Sequence, residues 1–176
     1  MKKIMIICLP ILLFCSILSA QGSGNSIEHT YINCGSNSSL SLLGSFTIEA
    51  WIYPLENDII GEHSIIDRRY GDGGYQLRLG GSVSFRLRAI GGAEYAISAS
   101  GLVANKWQHI AGVYRYDSES GNHYHKIYIN GVLKAGPTNL GTFTRGNNDT
   151  EFYIGRSKLV STFLLNGEID EVRAWS

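Results

Sequence analysis

The chain has 176 residues, with 15 basic and 15 acidic side chains and no formal net charge. That length is one domain's worth and enough to bury a core. The balanced charge gives no basis for a nucleic acid or an anionic membrane as the partner.

The chain opens with a targeting signal rather than a structural element. Lys2 and Lys3 precede an apolar run from Ile4 to Leu18, and Ser19-Ala20 supplies a small-residue ending suited to signal peptidase. Residues 1–20 are therefore expected to be a signal peptide, and the mature chain to be secreted, extracellular or at the cell surface. The run is interrupted by Pro10 and falls short of the roughly 20 apolar residues a spanning helix needs, so no membrane insertion of the mature chain is expected. Removing Lys2 and Lys3 leaves 13 basic against 15 acidic residues. Removing Cys8 and Cys15 leaves Cys34, expected to be a small half-buried hydrophobe with no intramolecular disulfide.

After a short segment at residues 21–25, the elements read as strands divided by turns. "FTIEAWIY" (46–53) is rich in aromatic and β-branched residues and stops at Pro54. "GYQLRL" (74–79) and "SVSFRLRAI" (82–90) are separated by Gly80-Gly81. In the second, Val83, Phe85 and Leu87 alternate with Ser84, Arg86 and Arg88, the pattern of a half-buried antiparallel strand. "WQHIAGVYRY" (107–116) repeats it. In "KIYINGVLKAG" (126–136), Asn130-Gly131 stands between two strand-like runs and predicts a two-residue hairpin, because both turn residues need positive φ. No segment carries a sustained helical period. Short strands at roughly ten-residue spacing predict an all-β sandwich or jelly roll in one domain, residues 26–176.

Five of these segments, "FTIEAWIYP", "KWQHIAGVY", "KIYINGVL", "FYIGRS" and "NGEIDEVRAW", stand in an order and spacing that resemble laminin-G-like domains of the concanavalin A-like lectin/glucanase superfamily. The resemblance implies a two-sheet antiparallel jelly-roll β-sandwich, used in extracellular proteins as a non-catalytic recognition or adhesion module. It does not name the ligand. The chain departs from the common pattern at "SIEHTYINCG" (26–35), where many bacterial relatives carry paired aspartates. It also stops at Ser176, where relatives commonly run on into further domains.

The glucanase branch of that superfamily uses a strand motif Glu-x-Asp-x-x-Glu. Glu168 and Asp170 match its first two positions, but the third falls on Arg173. A retaining glycosidase needs two carboxyls about 5 to 5.5 Å apart, one to attack and one to donate a proton. Arginine does neither, and strand alternation puts Glu171 on the face opposite Glu168 and Asp170. Alternation also puts Asp170 with Val172 and Ala174 on a core-facing side, where Asp170 reads as a structural anchor tying the closing strand to a loop. No catalytic residue is assigned.

His123 and His125 share one strand face, but two ligands do not make a metal site, and both read as hairpin-rim residues. Some relatives carry calcium at the sandwich rim, and "RGNNDTE" offers Asn147, Asn148, Asp149 and Glu151 as hard oxygen ligands; the same composition makes an ordinary polar turn. The candidate binding cluster is Arg68, Arg69, Tyr70, Tyr75, Arg78, Arg86 and Arg88. Its arginine forks suit carboxylates or sulfates, and its tyrosines suit sugar rings. Trp51 and Trp107, inside apolar strand patterns, read as core or inter-sheet residues. Three functions stay open: binding of a polysaccharide or an extracellular protein, glycan hydrolysis on the same fold, and a purely structural adhesion role.

Overall fold

The computed structural model describes residues 16–18, 31–146 and 150–176. Twelve strands are present among them: β1 Ser16–Leu18, β2 Tyr31–Asn33, β3 Phe46–Tyr53, β4 His63–Asp67, β5 Tyr75–Leu79, β6 Val83–Arg88, β7 Glu94–Ala99, β8 Gln108–Tyr116, β9 His123–Ile129, β10 Val132–Asn139, β11 Tyr153–Ile154 and β12 Glu168–Trp175. They form two antiparallel sheets, ordered β1-β2-β11-β4-β5-β6-β7 and β10-β9-β8-β3-β12. The jelly-roll sandwich expected from the strand pattern is the fold found. The expected leader lies outside the described residues except for β1, which pairs with β2; residues 21–25 lie outside them as well.

Period-2 alternation builds the core. From the seven-stranded sheet Tyr75, Leu77, Leu79, Val83, Phe85 and Leu87 point inward and are fully buried; Ile48, Ala50, Ile52, Ile110 and Ile127 meet them from the other sheet. Gly112 of β8 lets the sheets approach here, since a Cβ built on it would lie 2.6 Å from the Phe85 ring. The Asn130-Gly131 hairpin forms as predicted, with φ of 50° and 74°.

Two local expectations are corrected. First, one α-helix is present among the described residues, the five-residue α1 at Glu56–Ile60, too short for a periodic signal. Second, His123 and His125 lie inside, not on a rim: β9 extends back to His123, and both rings pack against Tyr114. Cys34 is half-buried against the core, as expected, and is disulfide-bonded with residues 1–20 present. The expectation of no intramolecular disulfide concerned the chain after removal of Cys8 and Cys15.

Candidate functional site

The last strand contains a register break that alternation could not foresee. Pairing with β3 runs Glu168 to Tyr53, Ile169 to Ile52 and Asp170 to Trp51, then resumes at Arg173 to Glu49. Glu171 sits at the bulge with φ of 47°, and the Asp170 carboxylate accepts its backbone N–H at 2.7 Å. Because the bulge adds one residue, Ile169, Val172 and Ala174 face the core while Asp170 faces out. The expected core-facing placement of Asp170 is thus wrong. The loop anchor expected of it is Asp58 of α1, fully buried, which accepts bonds from the backbone N–H groups of Leu55, Asn166 and Gly167 and from the Asn166 amide.

The expected arginine cluster divides. Arg69, Arg78, Arg86 and Arg88 come together on the outer face of the seven-stranded sheet. Tyr70 sits beyond it on the β4–β5 turn, exposed, with the Lys158 ammonium 4.9 Å from its ring. Arg68 and Tyr75 do not belong to the cluster. Arg68 is fully buried and donates to the Asn37 carbonyl and Ser41 Oγ at 3.1 and 3.2 Å. Tyr75 is a core residue whose hydroxyl donates to the Leu40 carbonyl at 2.7 Å. The reason is parity: Tyr75 lies on the Leu77 side of β5, while Arg78 lies on the other.

Acids space the four guanidiniums. Glu94 reaches Arg69, Arg86 and Arg88 at 2.7, 3.2 and 3.1 Å, and Glu62 pairs with Arg78 at 2.6 Å. Beneath them Asp67, fully buried, accepts from Arg69, Gln76 Nε2 and Ser157 Oγ. Burial and the adjacent Arg78 and Arg69 hold the Arg86 pKa below its ordinary value, and a bond from Arg78 does the same for the Glu62 carboxyl. The Nε–H groups of Arg78 and Arg86 are buried with no protein acceptor among the described residues. Cations therefore crowd a face that carries four guanidiniums against three acids. Glu94 was missed from sequence, yet the Gly91-Gly92 turn gives the signal: a hairpin closed there sets Glu94 opposite Arg88.

The calcium ligands expected at Asn147, Asn148 and Asp149 lie outside the described residues. Glu151 does not fit the role as placed. Its carboxylate is taken by the Lys158 ammonium and the Thr150 hydroxyl, which hold its pKa below the usual carboxylate value. Among the described residues no group of three His, Cys, Asp or Glu is placed to hold a metal.

Trp51 and Trp107 also depart from expectation. They are 37% and 44% exposed on the outer face of the five-stranded sheet, where with Asp170 and Glu171 they line a groove of about 300 Å³. The apolar character of "FTIEAWIY" concealed this, because Trp51 occupies the outward parity alongside Glu49, between the buried Ala50 and Ile52.

A two-sheet antiparallel jelly roll with polar outer faces is the framework of the lectin-like sandwiches. The chain belongs to the concanavalin A-like lectin/glucanases superfamily, matching its Laminin_G_3 family over residues 24–176. No curated protein matched the chain in sequence. Among solved structures, the receptor binding domain of botulinum neurotoxin mosaic serotype C/D is similar, with a TM-score of 0.66 and 19% identity over 86% of this chain. The chain spans 37% of the length of that toxin domain. The Ruminococcus gnavus IT-sialidase CBM40 bound to alpha2,3 sialyllactose gives a TM-score of 0.59 and 15% identity, covering 78% of each chain. The binding domain of botulinum neurotoxin DC in complex with rat synaptotagmin II gives 0.58 and 18%, covering 98% of this chain and 41% of that one. At these identities the likeness is one of fold.

Proposed function

We propose that this protein is an exported, non-enzymatic recognition module whose arginine face binds an acidic glycan. The observation that carries the reading is the outer face of β5, β6 and β7, where Arg69, Arg78, Arg86 and Arg88 are held apart by Glu62, Glu94 and Asp67. A carboxylate or sulfate arriving there meets preformed forks whose mutual repulsion it relieves. Sialyllactose, the ligand of the similar sialidase domain, carries such a carboxylate. The charged and apolar leader at residues 1–20 supports the export part of this reading.

A hydrolase reading has less support. Glu171 is engaged by Arg173 at 2.6 Å, and the groove beside Asp170 is open, whereas a general acid is kept protonated by apolar enclosure. The test is retention of the protein on immobilised sialyllactose, heparin and lactose. The reading expects retention on the two acidic ligands, lost when Arg78, Arg86 and Arg88 are replaced by Ala. Absence of retention on both leaves a protein-adhesion module as the better account, and new reducing ends from any glycan restore the hydrolase.

A further inference from the structure

The arginine face leaves the opposite side of the sandwich without a role, and that side carries a groove of different chemistry. Trp51 of β3 and Trp107, just before β8, both stand more than a third exposed, and Asp170 and Glu171 of β12 complete the lining. Each indole is set by a ring neighbour: His109 lies 5.6 Å from Trp51 and Tyr53 lies 5.8 Å from Trp107.

The two carboxylates reach the groove together through the bulge. A left-handed φ at a non-glycine residue inside a strand is uncommon and disfavoured, and it turns Glu171 out beside Asp170 where regular alternation would send one of them inward. Arg173 fixes Glu171 through its Oε2, and the Glu171 N–H fixes Asp170 through its Oδ1. The second oxygen of each carboxylate has no donor among the described residues, and the indole N–H groups of Trp51 and Trp107 have no acceptor there. The groove thus presents two flat aromatic rings, two donors and two acceptors.

We propose that the Trp51–Trp107 groove is a second binding site, for the pyranose rings of a neutral glycan. A pyranose offers an apolar face of C–H groups to an aromatic ring and rim hydroxyls that both donate and accept. An acidic sugar is excluded by Asp170 and Glu171. A cationic ligand satisfies the carboxylates but leaves both indole donors opposed, and Arg173 already compensates Glu171. The protein then grips two chemically different glycans on opposite faces of one sandwich. The site is independent of the arginine face and stands or falls separately.

Calorimetric titration of the full chain with cellohexaose, mannohexaose and xylohexaose tests it, with a trimethyl-lysine peptide and sialyllactose as comparison ligands. At least one neutral hexasaccharide is expected to bind. Trp51→Ala and Trp107→Ala should each weaken that binding about tenfold or more, Trp51→Phe should retain most of it, and Asp170→Asn should weaken it while keeping the bulge bond. Arg78→Ala with Arg86→Ala should leave it unchanged. Binding of none of the three hexasaccharides, binding that survives loss of both indoles, or binding of the peptide alone overturns the proposal. Because the indoles are exposed, unaltered circular dichroism of the variants is expected, and Trp51→Phe separates loss of the ring from loss of the fold.

Discussion

The carboxylate of Asp58 accepts both the backbone N–H and the side-chain amide of Asn166, at 2.9 and 2.8 Å, across 108 residues of chain. It thereby ties α1 to the entry of the closing strand, with Gly167 N–H as a further donor at 2.8 Å. Gly167 is required there, because a Cβ would lie 2.0 Å from the Tyr53 carbonyl oxygen. Removing the buried acceptor strands several donors at once. Asp58→Ala should lose roughly 2–4 kcal/mol of stability, measured as the urea midpoint; a loss below about 0.5 kcal/mol, the range of an ordinary surface change, refutes the clamp.

Close approach of the sheets predicts a second stability effect. Gly112→Ala places a methyl group against the Phe85 ring, an overpacking that costs about 1–3 kcal/mol. In a chain of this size each kcal/mol lowers Tm by about 2–4 °C. The companion change Phe85→Leu, which opens room, should partly rescue Gly112→Ala, and additive losses in the double variant would show that the contact is not the cause.

Acid should weaken the fold before its carboxylates titrate. His125 is fully buried, 4.7 Å from Phe85, and its ring nitrogens have no partner among the described residues. Burial, reinforced by Arg145 and His123, pushes its pKa from 6.5 down to about 3. His123 moves in the same direction, chiefly through burial. Between pH 6.5 and 3 the unfolded chain therefore holds protons that the folded chain does not. Stability present above pH 6.5 is lost as pH falls, by up to about 1.4 kcal/mol per pH unit for His125. His125→Leu should flatten the profile between pH 7 and 5. Equal stability of the unmodified protein at those two values would contradict the assignment.

Binding at the arginine face should be strongly salt-dependent, since its guanidiniums are partly open to solvent. Retention on heparin should fall steeply between about 50 and 300 mM salt, as the Debye length shrinks from about 14 to about 6 Å. Arg86→Ala should reduce the steepness, whereas Trp107→Ala should not alter it. A retention that ignores salt would point away from the guanidiniums.

Much of this architecture was legible from residue order. Alternation in "SVSFRLRAI", the Asn130-Gly131 turn and the aromatic run of "FTIEAWIY" are local signals, and each marks a strand or turn that the fold contains. Alternation also put Arg86 and Arg88 on one face, with Arg78 across the hairpin. Arg68, adjacent to Arg69 in sequence, and Tyr75, three residues from Arg78 on β5, both turn into the buried interior instead.

By itself, then, the sequence determined the all-β class, the hairpins and the shared face of three arginines, because these depend on side-chain period and turn chemistry over a few residues. Tertiary structure alone decided three other matters. The bulge at Glu171 broke the alternation of the last strand and turned Asp170 outward, the choice of which sheet face meets the core turned Trp51 outward and His125 inward, and Asp58 took the anchoring role expected of Asp170. Each of these depends on pairing between segments far apart in the chain, where one inserted residue or one distant carboxylate changes which side of a strand is buried.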